Sequence, residues 1–302
     1  MSSLDDLIVP GSTVTLDGSK GSTARPPLVF VHGVMHGAWF WGGFMKELSS
    51  RGFKTYAFSL PCNAERSLQA SADAIQVFIE EVVKAPCVLI GHSGGGHFVQ
   101  HYLCDVEPQL ATANKVVAAC LLASGTCDPD AGKANVERWM GRMTGDVGAK
   151  FEMGTKGMTP ELFKFLFFSD ATDATTISGE SLTIAEYSAK LLTNVGDSQV
   201  CFSQHPPLAE LKEHPSAVAK RIPVLVTSTE FDPIQGGKCT PPLEGPAEAL
   251  TLVDKLAELW TATPESGNRL HFDKMGHCMG DAGWETVVIE PIAAWLEKNT
   301  AK

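Results

Sequence analysis

No apolar run approaches the ~18 residues of a membrane-spanning helix anywhere in the 302-residue chain. Basic charge is scarce too: 24 Lys and Arg stand against 35 Asp and Glu, for a formal charge of -11. A phosphate backbone or an anionic membrane demands a basic face, so neither is expected as the main partner. The opening MSSLDDLIVPGST lacks a basic segment leading into an apolar one, and no cleaved signal peptide is expected. The eight cysteines, at 62, 87, 104, 120, 127, 201, 239 and 278, include no CxxC pair. In a chain of this length they read as small buried hydrophobes in a reducing compartment. No HExxH occurs, and no GxGxxG follows the first buried strand, so neither a metal nor a dinucleotide cofactor is expected. Repeats and low-complexity tracts are missing as well. What remains is a globular protein, expected to be cytoplasmic, whose oligomeric state the sequence leaves open.

Hydrophobic residues make up 44% of the chain and charged residues 20%, enough to bury one large α/β or barrel core, or two ordinary ones. Strand-like runs rich in apolar residues occur at 28–31, 54–60, 87–91, 116–122 and 223–229, with a shorter one at 269–272. Runs of this kind suit strands covered on both faces of a parallel sheet. Ala74, Ile75, Phe78, Ile79, Val82 and Val83 recur at helical spacing and stop before Pro86. A last helix is expected to end near Trp295. Strands alternating with helices predict a mostly parallel central sheet flanked by helices, closed by right-handed crossovers. The alternation breaks over residues 127–220, which divides the chain into a core of 1–126 plus 221–302 and a mainly helical insertion. That insertion carries a helix expected at 184–192, methionines at 140, 143, 153 and 158, and phenylalanines at 163, 165, 167 and 168. Long insertions beside a sheet site commonly act as lids; the aromatic and Met content also fits plain core packing.

The strand at 87–91 runs directly into GHSGG, residues 91–95. This is the pattern of a nucleophile elbow, in which glycines two residues either side of Ser93 allow a sharp turn and close backbone approach. A serine hydroxyl is a weak nucleophile and needs a base, which in turn needs an orienting acid. His277, in KMGHCMG, is the candidate base. Asp232, in STEFDP, is the candidate acid, with Asp128 and Glu230 as rivals. The order Ser93, Asp232, His277 is that of the elbow-bearing hydrolases, and each residue follows an expected strand. His32 and His36, like His97 and His101, stand four apart, a spacing that suits zinc; without an HExxH the plainer reading is turn and helix histidines. His92 reads as filler between glycine and serine, and Cys278 as a small packed residue.

The HG turn at His32-Gly33, the GHSGG elbow and the late MGH together resemble the α/β-hydrolase superfamily over about 28–125 and 221–298. The segment HGVMHGAWFW (32–41) is similar, more narrowly, to plant methylesterases and hydroxynitrile lyases. The resemblance implies an oxyanion hole made by the backbone N–H groups of Val34 and Gly94. It implies a serine-dependent hydrolysis of a carboxylic ester, lactone or thioester through an acyl-enzyme, with no cofactor and a small-molecule ester as partner. The Met and aromatic content of the insertion adds the expectation of a medium-sized, largely apolar substrate. Carbon–carbon bond hydrolysis or lyase chemistry with the same three residues is an alternative, as is a non-enzymatic ligand receptor on the same fold. Hydroxynitrile lyases place a lysine directly after the catalytic histidine; here that position is Cys278.

Overall fold

The computed structural model describes residues 12–18, 25–60, 67–110, 115–132, 160–168, 174–175, 182–192, 206–232, 234 and 252–301. Nine strands form among them: β1 (Val14–Asp17), β2 (Leu28–Val31), β3 (Lys54–Phe58), β4 (Cys87–His92), β5 (Val116–Leu122), β6 (Ala174–Thr175), β7 (Leu182–Thr183), β8 (Val224–Phe231) and β9 (Arg269–Gly276). The helices are α1 (Gly42–Ser50), α2 (Leu68–Phe78), α3 (Gly94–His101), α4 (Pro160–Phe167), α5 (Ile184–Leu192), α6 (Pro215–Arg221), α7 (Leu252–Leu259) and α8 (Glu290–Thr300). Seven strands make one sheet in the order β1-β3-β2-β4-β5-β8-β9, while β6 and β7 pair separately. Only the β1–β3 pairing of the large sheet is antiparallel; its other five pairings are parallel.

Alternation along each strand divides the core into two layers. Leu28, Phe30, Val88, Ile90, Cys120 and Leu122 join α1 and α8 on one face. Val29, Val31, Leu89, Ala119, Leu121 and Val226 join α2, α3, α6 and α7 on the other. Both faces being covered is what the apolar-rich runs require, and a one-residue slip would exchange the two layers. Helix α2 starts where the Ser67 hydroxyl accepts a 3.0 Å bond from Ala70 N–H, an N-cap. Its apolar stripe continues through a wider turn, Ile79–Val83, and stops at Lys84 with φ 55°. The last helix runs past the expected Trp295 to Thr300.

Within 127–220, α5 spans the residues expected as a helix, and α4 precedes it. The hairpin β6–β7, two residues per strand, was not expected. Phe163, Phe167 and Phe168 are buried; the four methionines of this stretch lie outside the described residues. Cys87, Cys104, Cys120, Cys127 and Cys278 are buried free thiols. Among the described residues no helix is long and apolar enough to cross a membrane.

Candidate active site

The parallel strands end on a common rim, and each candidate residue is the first after a strand: Ser93 after β4, Asp232 after β8, His277 after β9. β9 is four residues longer than its apolar run predicted. The extension comes from an irregularity in the β8–β9 ladder, where the register shifts between Thr229 and Phe231 and Lys274 takes φ 62°. Beyond it Phe231 pairs with Gly276, which sets Asp232 and His277 side by side. His277 Nδ1 lies 2.7 Å from Asp232 Oδ2, with both side chains 1% exposed. A carboxylate oxygen accepts, so the proton sits on Nδ1 and Nε2 presents its lone pair. That Nε2 is buried and has no hydrogen-bond partner.

The rival acids are occupied elsewhere. Glu230 Oε2 accepts from Lys274 N–H at 2.9 Å and ties down the ladder irregularity. Asp128 Oδ1 accepts from Asp130 N–H and Ala131 N–H, capping the turn that follows β5.

Ser93 has φ 51° and ψ −122°, a strained conformation for a residue with a side chain. The surroundings enforce it. A Cβ on Gly95 would lie 2.2 Å from the Val31 carbonyl oxygen and 2.5 Å from that of His32; one on Gly91 would lie 2.8 Å from Gly95 O. These contacts are with backbone, which cannot swing aside. Ser93 N–H donates to Leu122 O at 3.0 Å, anchoring the elbow to β5. The turn after β2 comes against it: a Cβ on Gly94 would lie 3.3 Å from Val34 N. The main chain of Val34 therefore passes close to Gly94, which opens α3 at its positive end.

That turn is held by histidines. Leu60 N–H donates to His32 Nε2 at 3.1 Å, which leaves His32 Nδ1–H to donate to Gly33 O at 2.8 Å. His36 Nδ1 lies 2.8 Å from Val34 O, so that nitrogen carries the proton; Nε2 lies 2.7 Å from Tyr187 Oη on α5. Burial pushes the His36 pKa down to about 3 and keeps the ring neutral.

His92 is not filler. Its Nε2 donates to the main-chain carbonyl of His277 at 2.9 Å, and its ring stacks on Phe40 at 4.9 Å. Burial, followed by the nearness of His277, depresses its pKa strongly. Asp281 Oδ2 accepts from Gly276 N–H at 2.6 Å, and Phe167 O from Cys278 N–H at 2.9 Å. The Phe167 ring stands 5.9 Å from that of His277. Neither His92 nor Asp281 was singled out for this role by the sequence, because their partners lie 185 and 5 positions away on a backbone path no motif describes. Cys278 is buried, with its pKa raised by desolvation, so its sulfur is no exposed nucleophile. Among the described residues no group of three or more His, Cys, Asp or Glu side chains is disposed to hold a metal ion.

Fold and rim together define an α/β protein whose sheet rim carries Ser93, at a strained turn between strand and helix, and a buried histidine–carboxylate pair. The sequence pattern of the Alpha/beta hydrolase family matches residues 28–288, and the chain belongs to that family. No curated protein sequence matches it. Among solved structures it is similar to a thermophilic esterase from Thermogutta terrifontis, at TM-score 0.61 and 16% identity, with 98% of each chain covered. An esterase from Exiguobacterium antarcticum aligns at TM-score 0.56 and 14% identity, over 98% of this chain and 100% of that one. A structure from a study of carboxylesterases of Nitrososphaera gargenis aligns at 0.55 and 16%, over 97% and 98%. At these identities the likeness is one of fold.

Proposed function

We propose that the protein is a serine hydrolase of carboxylic esters, lactones or thioesters, acting through an acyl-enzyme. The observation that carries this reading is the buried 2.7 Å contact between His277 Nδ1 and Asp232 Oδ2 on the rim that also holds Ser93. Ser93 Oγ attacks the substrate carbonyl while His277 Nε2 takes its proton, and Asp232 orients the imidazole and stabilises the imidazolium. The N–H groups of Val34 and Gly94 receive the oxyanion. Being fixed in advance by the elbow and by the histidines of the β2 turn, they need no reorganisation as its charge develops. Collapse expels the alcohol or thiol, protonated by His277. Water, deprotonated by the same nitrogen, then releases the acid. Residues 127–220 serve as a lid, and Phe167 beside His277 supports a largely apolar substrate of medium size. The HGVMHGAW segment, which resembles that of plant methylesterases and hydroxynitrile lyases, is in keeping with this reading.

The test is time-resolved hydrolysis of p-nitrophenyl acetate and butyrate by wild type and Ser93→Ala. Turnover in the variant should fall by ~10³-fold or more, with butyrate preferred over acetate by wild type. Equal rates in both proteins would sink the reading. A single stoichiometric burst from wild type would move the chain to the receptor class.

A further inference from the structure

Residues 33–36 form a tight turn closed by His36 N–H donating to Gly33 O at 3.3 Å. Its third residue, Met35, has φ 65°. Positive φ at that position marks a type II turn and normally calls for glycine. A methionine there is strained by ~1–2 kcal/mol, and flipping the Val34–Met35 peptide towards a type I turn would relieve it. What opposes the flip is the bond from His36 Nδ1–H to the carbonyl of that same peptide, Val34 O, at 2.8 Å.

The imidazole is held in turn from outside the core. Tyr187 Oη lies 2.7 Å from His36 Nε2, a nitrogen left with only its lone pair, so the phenol donates. Cys278 Sγ closes the triangle, 3.5 Å from the phenol and 3.8 Å from the imidazole. Tyr187 is fully buried, with its ring edge-on to Trp39 at 5.5 Å and Phe168 at 5.1 Å. One hydroxyl on α5 thereby meets both the turn that bears Val34 and the residue next to His277.

We infer that Tyr187 is a positioning residue for the oxyanion hole: docking of α5 through its hydroxyl holds His36, and His36 holds Val34 by its carbonyl oxygen, which keeps the 33–36 turn as a whole where Val34 N–H can meet the reacting carbonyl. The inference rests on the hydrolase reading above. It makes α5 a participant in assembling the site.

Tyr187→Phe removes one oxygen and keeps the ring. The experiment compares wild type and this variant in kcat and KM for p-nitrophenyl butyrate, and in Ki for an alkyl trifluoromethyl ketone, which forms a hemiketal oxyanion with an active-site serine. The expected result is a fall in kcat of about 10-fold, KM within twofold, and inhibitor affinity weakened by the same factor as kcat/KM. His36→Asn retains a donor near the Nδ1 position and deletes Nε2. It should reproduce the loss, and the double variant should be no worse than either single one. If Tyr187→Phe is too unstable to assay, His36→Asn carries the same expectation. Unchanged kcat and Ki, or a raised KM with kcat intact, would overturn the inference while leaving the hydrolase standing. Failure of a fluorophosphonate to label wild type at Ser93 would instead remove the hydrolase reading, and the inference with it.

Discussion

The two sides of the site are built by different means. On the elbow side, Gly91 and Gly95 are held by backbone pressed against backbone, and Gly94 and Gly96 lie against the side chains of Val34 and Ser124, with glycine at each point where a side chain would collide. On the base side, His277 is held by side chains and carbonyls arriving from elsewhere: Asp232, His92, Asp281 and the end of α4. The first construction tolerates no added atom. The second tolerates change in size better than loss of a donor or acceptor, because each buried bond removed leaves a polar group without a partner.

The largest effect is therefore expected at Gly95. In Gly95→Ala the methyl would sit within 2.5 Å of two carbonyl oxygens of the β2 turn, and the strands cannot part without breaking the parallel ladder. A loss of ~3 kcal/mol or more is expected, a large share of the ~5–15 kcal/mol typical of a folded domain. Gly132→Ala, where an added methyl meets nothing within 4 Å, is the control and should stay within ~0.5 kcal/mol of wild type. Urea unfolding of both variants measures the difference; similar midpoints would mean that the elbow is not packed this tightly.

The same contrast explains what the sequence made legible. An elbow fixed by local backbone contacts leaves its requirement in adjacent letters, and GHSGG after an apolar run is enough to read it. That the strands are mostly parallel and covered on both faces follows likewise from their apolar runs, whereas their order in the sheet does not. The base side leaves no such trace. Its apolar run ends at Phe272, yet β9 reaches Gly276 through the polar residues Asp273 and Lys274, because Glu230 on the neighbouring strand accepts from Lys274 N–H. Nor can hydropathy foresee that His92 would hold the carbonyl of His277, or that His36 would meet a tyrosine 151 positions on.

Acid should act chiefly through the buried neutral histidines, which lie on both sides of the site. Burial lowers His36 to about 3 and His97 to about 4, and lowers His92 strongly. In the unfolded chain each titrates near 6.5, so below that pH the unfolded state binds protons that the folded state refuses. Stability is then complete above about pH 7 and falls as pH drops towards the folded-state values. Between pH 7 and 5 the loss should be about 2 kcal/mol for each of His36 and His97. Unfolding free energies across this range, for wild type and His97→Asn, provide the measurement. A slope that does not flatten in the variant would show that His97 takes up its proton in the folded state.

The smallest effect on stability, and the most informative about the base side, is expected from Asp281→Ala. Asp281 is 2% exposed, and its carboxylate accepts the N–H of Gly276, the residue that precedes His277. Removing it strands a buried donor at a cost of ~1–3 kcal/mol, less than the elbow substitution. The consequence for turnover should outweigh that for folding. Asp281 fixes the residue before His277, so freeing it loosens the Nδ1–Asp232 bond and the direction of Nε2 together, and misplacement of a base by ~1 Å can cost ~100-fold. KM should move little, since no substrate contact is lost. Asp281→Asn keeps an acceptor oxygen at the same place and should recover most of the rate. If both variants lost activity equally, the charge of Asp281 rather than its bond to Gly276 would be what His277 requires, and the base side would be an electrostatic construction instead of a geometric one.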